Sequence, residues 1–290
     1  MPEWAFASAA EYPLSGLAGL FTASFAGYVI PMQMSVAALA ERVAAEDIDL
    51  AASRVLLSGG EPAGLGLLAR RGKVSRVAAM GLVQAVRGKG AGRALLAELV
   101  AGAVARGDRR LLLEVFESNA PARGLYEQAG FRVTTRLVGY EAREPEASRA
   151  DLRELDPAAF ASRMDAADVG PLPWQLQPQS LSAPPAAART FTLDEKAFVY
   201  LSAASATAVA IRGVLTLRDH RRHGWATRLL RGLAALFPGR AFTVPQLIPE
   251  RLGEAFFAAR GFTRASLAQL EMALALDGDT PSRSMPPLAR

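Results

Sequence analysis

Arg87-Gly88-Lys89-Gly90-Ala91-Gly92 is the stretch of this 290-residue chain whose residue types and spacing could do chemistry. The strand-like run Ser75–Gln84 leads into it, and a run to about Arg106 with apolar residues at helical spacing leaves it. A strand that enters a glycine-rich turn and leaves as a helix gathers several backbone N–H groups in one concavity, and the helix N-terminus adds the positive end of a dipole. Glycine lets the backbone approach an anion and adopt positive φ. Arg87, Lys89 and Arg93 add charge. The chemistry this favours is the holding of a phosphate.

Several phosphate ligands compete for such a loop. The pattern G-x-x-x-x-G-K-[ST] of a P-loop is absent from this window. A dinucleotide fingerprint needs G-x-G-x-x-G, whereas the spacing here is G-x-G-x-G. That spacing also suits the S-adenosylmethionine loop of Rossmann-like methyltransferases. Those usually carry an acidic residue just before the glycines, where this chain has Val86, and they begin with alternating strands and helices. Here three hairpin-linked strands are expected first.

The loop resembles the core motif of the GNAT superfamily of N-acetyltransferases, Gln/Arg-x-x-Gly-x-Gly/Ala. A later motif of the same superfamily resembles Asn119-Ala120-Pro121-Ala122-Arg123-Gly124-Leu125-Tyr126-Glu127-Gln128-Ala129-Gly130-Phe131. The resemblance covers about residues 12–142 well and 190–276 in weaker form. It implies a soluble intracellular enzyme that uses acetyl-CoA. The backbone amides of Arg87, Gly88, Lys89, Gly90, Ala91 and Gly92 would hold the pyrophosphate of CoA. The strand end at Leu82 and Val83 would pair with the pantetheine arm like an added strand. Asn119 would contact that arm, and Tyr126 would sit by the sulfur and protonate the leaving thiolate. A neutral amine would attack the thioester carbonyl while a backbone N–H polarises its oxygen. A base is useful because an alkylamine is protonated at neutral pH. Many relatives place a carboxylate on the strand before the loop, but Ser75–Gln84 has none. Glu114 on the next strand is the local candidate, directly or through water. In this fold the first two helices usually wall the acceptor, which points to Phe25, Tyr28 and Gln33 with Met32 and Met34. That surface is largely apolar and does not suggest a polycationic aminoglycoside. A non-catalytic CoA-binding module stays open beside the enzyme and the methyltransferase.

The second half repeats the pattern. Arg221-x-x-Gly224-x-Ala226 follows the first loop by 134 residues, and Gly261-Phe262 follows Gly130-Phe131 by 131. Two markers at nearly one offset argue for an internal duplication. Alignment on the second marker puts Phe257 where Tyr126 stands and Glu250 where Asn119 stands. A phenyl ring cannot donate a proton. Trp225 replaces Ala91, and a glycine becomes Ala226. The second half therefore reads as a degenerate copy that either still binds CoA or serves as a scaffold completing the acceptor cleft.

The elements that must position these residues can be read from the periods. Residues 16–28 and 35–46 read as helices, Ser35 capping the second. Arg54–Ser58, Ala63–Arg71 and Ser75–Gln84 read as strands joined by hairpin turns, hence antiparallel. Arg109–Phe116 reads as a central strand, Ala120–Ala129 as a helix closed by Gly130, and Phe131–Glu141 as a strand. Residues 143–155 are polar, a boundary, and Pro171–Ala188 is rich in Pro, Gln and Ser, a loop or linker. Strands at Ala197–Leu201, Ala208–Leu217 and Ala241–Val244 and helices to about Leu236 and over Arg251–Ala259 complete the copy. The expected architecture is α/β (α+β), tandem GNAT folds, each a mixed mainly antiparallel sheet flanked by helices. The expected division is a catalytic domain over 1–144, a degenerate domain over 145–282 and a tail over 283–290.

Composition bounds the rest. At 51% hydrophobic and 21% charged the chain is globular. It has no cysteine, which excludes disulfides, thiolate zinc and an acetyl-cysteine mechanism, and fits a cytoplasmic protein. His220 and His223 stand together in the second half, so no metal site of several histidines is expected. The net charge of +5 comes from scattered arginines without interleaved aromatic platforms, which argues against nucleic acid. The apolar segment Leu14–Ile30 is short for a membrane span and has no basic flank, so it reads as a buried helix. The expected partner is a primary amine on a small molecule or peptide, with the chain a monomer or homodimer.

Overall fold

The structure is a computed structural model that describes residues 4–30, 32–168 and 170–276. The expected tail, 283–290, lies outside the described residues. Twelve strands form one sheet: β1 Trp4–Ser8, β2 Arg54–Ser58, β3 Glu61–Arg71, β4 Val74–Leu82, β5 Arg110–Phe116, β6 Arg132–Ala142, β7 Arg153–Leu155, β8 Arg189–Leu193, β9 Ala197–Ala204, β10 Ala208–Thr216, β11 Ala241–Pro249 and β12 Thr263–Ala275. The helices are α1 Leu14–Ser24, α2 Val36–Glu46, α3 Ala91–Ala105, α4 Ala120–Gln128, the short α5 Ala159–Ser162, α6 Met164–Ala167 and α7 Pro178–Leu181, then α8 Trp225–Leu236 and α9 Glu250–Ala258. The fold class is as expected. Bounds shift by a few residues, and β1, β7, β8 and β12 were not anticipated.

The strand order is β1-β2-β3-β4-β5-β12-β6-β11-β10-β9-β8-β7. Two pairs are parallel, β4–β5 and β10–β11; every other pair is antiparallel. The centre of this order is reciprocal. β12 of the second half lies between β5 and β6 of the first, and β6 lies between β11 and β12 of the second. Glu271 of β12 pairs with Glu114 of β5 and with Thr135 of β6. Each half thus completes the sheet of the other.

Both parallel pairs are short. β4 pairs with β5 only from Val74–Val77 to Arg110–Leu113, and β10 with β11 only over Ala208–Ala210 and Ala241–Thr243. Beyond those residues the strands part. β4 and β10 each carry a bulge shortly before or at the parting. Leu67 pairs with Ala79 and Leu68 with Val77, skipping Ala78; Ile211 pairs with Leu201 and Gly213 with Tyr200, skipping Arg212. The bulge residues are 134 apart, the offset of the two loops.

The helices cover both faces of the sheet. α1 and α2 bury Leu17, Phe21 and Leu39 against β3 and β4 on one side, while α3 buries Leu95, Leu96 and Leu99 on the other. Pro171–Ala188 is a loop, as expected, broken by two short helical turns, but it is packed against the core and not a free linker. Trp174 inserts into the core beneath α2, donates its Nε1–H to the Glu46 carbonyl at 2.8 Å, and stacks under the Arg71 guanidinium at 4.2 Å. Arg71 also donates to the Trp174 carbonyl, Gln177 Oε1 and Ser180 Oγ. One aromatic ring thus fastens a proline-rich segment that composition alone reads as loose.

A buried ion cluster joins α2 to the sheet. Arg76 of β4, 2% exposed, donates to Glu114 of β5 at 2.8 Å and to Glu46 of α2 at 2.6 Å. Arg42 takes the other Glu46 oxygen at 3.1 Å and the Ala78 carbonyl at 2.6 Å. Burial pushes the Glu46 carboxyl up, but Arg42 and Arg76 outweigh it and hold it at about 2, against an ordinary 4.5. Its stabilising contribution is therefore complete above about pH 4.5 and declines as the pH falls towards about 2. Arg76→Met strands two buried carboxylates, and chemical denaturation at pH 7 is expected to read a loss of about 3–5 kcal/mol, diminishing at acid pH. We propose that the boundary near residue 144 divides the sequence but not the folding unit. Expressed alone, residues 1–144 lack β12, leaving β5 and β6 with unpaired edges. Gel filtration and amide exchange are expected to show an aggregating or loosely folded chain. A sharply melting monomer would make the halves independent.

Candidate active site

The loop is built by local backbone conformation. β4 ends at Leu82, a single helical turn spans Gln84–Val86, Gly88 and Gly90 take φ of +73° and +91°, and α3 begins at Ala91. A Cβ on Gly88 or Gly90 would meet nothing within 4 Å, so the demand for glycine there is conformational, and the space over the loop is open. The first amides of α3 have no intrahelical acceptor and point to this space. The first-turn geometry fits a phosphate.

Arg87 does something other than extend towards that anion. Its Nε donates to the Leu82 carbonyl at 2.9 Å, and its Nη2 donates to the Ser24 and Ala26 carbonyls at 3.0 and 2.9 Å. It clamps the loop to the C-terminus of α1. Arg93 reaches across to Gln128 Oε1 at 3.1 Å, and Lys89 is exposed on the loop.

The parting of β4 from β5 leaves an unpaired edge leading to the loop. Backbone groups alternate sides along a strand. The Val83 N–H is spent on the Ala63 carbonyl at 2.9 Å, and the Val83 carbonyl accepts from Val86 N–H at 3.2 Å. Val83 therefore cannot serve the pantetheine arm as the resemblance implied. The alternation turns Met80 and Leu82 to the gap instead, with the Leu82 carbonyl already engaged by Arg87.

Asn119 caps α4, its Oδ1 accepting from Ala122 N–H at 3.3 Å, and Gly130 at φ +95° ends that helix. Between them Tyr126 is buried, its ring 5.9 Å from Phe131. Burial pushes the Tyr126 phenol well above its ordinary value, and the Tyr28 phenol adds to the push. Burial also raises Tyr28, against a hydrogen bond with Asn119 that pulls the other way. The structure thus brings Tyr126 and Asn119 of α4 together with Tyr28 from the segment after α1. Phe25 and Tyr28 meet edge to face at 5.2 Å, and Tyr28 lies 5.9 Å from Phe116 at the end of β5, so an aromatic row crosses the parted strands. Phe25 sits on Gly81, where a Cβ would come within 2.8 Å of the ring. Gln33 is exposed, and no contact joins it to this row.

Glu114 is placed differently from the expectation. Both its oxygens accept from Arg76 Nε, at 3.0 and 2.8 Å, and the pair is buried. A carboxylate so held is committed to a buried ion pair and positions Arg76 and α2. The neighbouring carboxylate is one that sequence reading missed. Glu271 arrives on β12, opposite Glu114 and on the same face, two residues along from Gln269, which pairs with Phe116. Burial raises its carboxyl, Glu114 adds to this, and the Thr134 hydroxyl donates to it at 3.1 Å. Among the described residues it has no ion-pair partner. No local signal could have found it, because the strand lies 157 positions beyond Glu114 in the chain and reaches the site only through the strand exchange.

The second half repeats the scaffold with other side chains. Arg222, at φ +63°, stands where Gly88 stands, and Gly224, at φ +77°, caps α8 as Gly90 caps α3. Arg221 donates to the Thr216 and Asp168 carbonyls, an analogue of the Arg87 clamp. Phe257 stacks on Tyr140 at 4.5 Å, and Glu250 joins Arg136 and Arg264 in a salt-bridge network with Glu117. Trp225 lies between Arg228 and Lys196, at 3.8 and 4.2 Å. A cavity of about 570 Å³ opens where β10 and β11 part.

Comparison with known proteins agrees with this geometry. Residues 35–131 match the acetyltransferase (GNAT) family. A tandem GNAT protein from the clavulanic acid biosynthesis pathway superposes over 94% of this chain and 99% of its own, with a TM-score of 0.64 at 15% identity. A GCN5-related N-acetyltransferase from Sphaerobacter thermophilus does so over 94% and 96%, at 0.64 and 16%. A putative acetyltransferase from Pyrococcus horikoshii does so over 94% and 89%, at 0.63 and 15%. By sequence, no curated protein matches the chain. The mainly antiparallel sheet does not provide the alternating scaffold of a Rossmann-like methyltransferase. Among the described residues no helix is long and apolar enough to cross a membrane. With residues 35–131 matching the family domain and the same fold repeated in the second half, the chain has a tandem GNAT fold.

Proposed function

We propose that the first half transfers an acetyl group from acetyl-CoA to a primary amine by direct attack within a ternary complex. The observation that carries this reading is the unpaired β4 edge, which runs from the bulge at Ala78 to the amides at the start of α3. When bound, acetyl-CoA supplies the activated acetyl group as a thioester. The amides of residues 88–92 hold its phosphates, with Lys89 and Arg93 beside them, while Arg87 holds the loop in place. The Met80 and Leu82 backbone lies along the pantetheine arm as a strand would. Asn119 fixes the start of α4 and the Tyr28 phenol. Tyr126, kept protonated by burial, donates its proton to the departing thiolate.

The acceptor enters from the α1–α2 face, against Phe25, Tyr28 and Phe116. These walls favour an amine on an apolar or aromatic body, from a small molecule or a peptide, over a polycation. Glu271 takes the ammonium proton, directly or through water, a role opened to it by its raised carboxyl and the absence of an ion-pair partner among the described residues. Its proximity is set by register: it is two residues, about 7 Å, along the strand from the level of Phe116. Glu114 stays bound to Arg76 and serves as a positioning group.

Turnover of a panel of arylalkylamines and short peptides with acetyl-CoA tests the reading. Tyr126→Phe is expected to lower kcat by roughly 10²- to 10⁴-fold with CoA affinity unchanged. An unaltered rate would give the proton to another group. Glu271→Gln is expected to remove the acid limb of the kcat/KM profile, because the rate of the parent enzyme falls as the pH drops through the raised carboxyl. A profile that keeps that limb would assign the base elsewhere.

A further inference from the structure

The cavity of the second half has the position of an acyl-donor site but the chemistry of a different one. At about 570 Å³ it lies within the range of small-molecule pockets. Its walls are apolar, with Phe160, Leu176, Leu252 and Phe256 among them. Yet Arg212, Arg221, Arg222 and Arg260 also line it, and among the described residues none of the four has a carboxylate within salt-bridge distance. Arg221 and Arg260 are occupied by carbonyls and the Thr227 hydroxyl.

Arg212 is the telling residue. It is the bulge residue of β10, the counterpart of Ala78 in β4, and a bulge re-aims the side chain that it carries. Its Nη2 donates to the Gln175 carbonyl at 3.2 Å, while its Nε is buried without a hydrogen-bond partner. The charged groups facing it from the first half are Glu46, Arg42 and Arg76. Glu46 favours the charge on Arg212 from a distance, but its oxygens are bonded to Arg42 and Arg76, whose own charges oppose it. A half-buried guanidinium with no carboxylate on it carries a desolvation cost that a bound anion would offset. A pantetheine arm laid along β10 is uncharged at this level and would leave Arg212 as it is.

We propose that this cavity binds an apolar monocarboxylate of medium-chain size, with Arg212 receiving the carboxylate and the walls receiving the body. The site is separate from the acetyl-transfer site, and its occupancy is read without any turnover. It has a route to the first half, because Leu172, Leu176 and Leu181 of its wall belong to the segment whose Trp174 sits under α2.

The probe is decanoate, titrated calorimetrically into the full chain, with decanol as the uncharged control and acetyl-CoA as competitor. One decanoate per chain is expected, with decanol and the Arg212→Met variant each weaker by roughly ten- to a hundredfold. Arg212→Met without ligand is expected to melt no lower than the parent chain, since it removes an uncompensated charge. Acetyl-CoA is expected not to displace decanoate. Equal affinity for decanoate and decanol, absence of decanoate binding, or unchanged affinity in Arg212→Met overturns the proposal. So does a lowered melting temperature in that variant, which would reveal a structural partner for Arg212. Displacement by acetyl-CoA overturns it too, by making the cavity a second donor site.

Discussion

The exchange of β6 and β12 is the constraint on which the rest of the molecule depends. A parallel pair that parts after a few residues leaves two strand edges open to water, and open edges invite both a ligand and unwanted pairing. Here the outer edge of β5 is covered by β12 along its whole length, from Arg110 to Phe116. Only the inner edge beyond Leu113, where β4 has parted from it, stays free. Because β12 comes from the other half, the gap in the first half is held open by a strand that the first half does not own. The relation is mutual, since β6 covers β11 beside the second gap. Two weak local arrangements become stable by sharing a centre.

Arg76 is the second fixed point, and it depends on the first. It links β4 to β5 just before they part, through Glu114, and links both to the end of α2, through Glu46. Buried ion clusters are poor sources of net stability, but they tolerate few geometries. This one sets where α2 meets the sheet, and Arg42 of the same helix holds the carbonyl of the bulge residue. The α1–α2 face is thereby registered against the strand edge. The same arrangement explains why a carboxylate on β5 can be near the site and still be committed to a buried ion pair.

Much of this was legible in the sequence because its causes are local. Gly88, Gly90 and Gly130 announce backbone conformations that other residues rarely adopt, and all three take positive φ. Ser35 caps the helix that it precedes. Hairpin spacing fixed β2, β3 and β4 as antiparallel. What was hidden has distant causes. Val83 is consumed by Ala63, Arg87 by α1, and Glu114 by Arg76, each a pairing that no spacing encodes. Trp174 is one aromatic in a proline-rich stretch, and composition averages it away. Glu271 reaches its place only by the strand exchange, and a strand order is the kind of fact that period and propensity do not carry.

The second half shows what a duplicated scaffold is free to change. The path of the chain is kept: the bulge, the short turn, the left-handed residue before α8 and the arginine clamp all recur. The side chains that would do chemistry are not. A phenol becomes the phenyl ring of Phe257, a small N1 residue becomes Trp225 pressed between two cations, and an alanine at the bulge becomes Arg212. The first two changes remove a proton donor and crowd an anion site, as expected of a copy that has only to stand. The third adds a charge to an apolar cavity, which standing does not require. A half kept only as scaffold would fill that cavity or leave it neutral, because an orphaned guanidinium weakens the fold that it sits in. The presence together of the space and the charge is the argument that the second half has a ligand of its own.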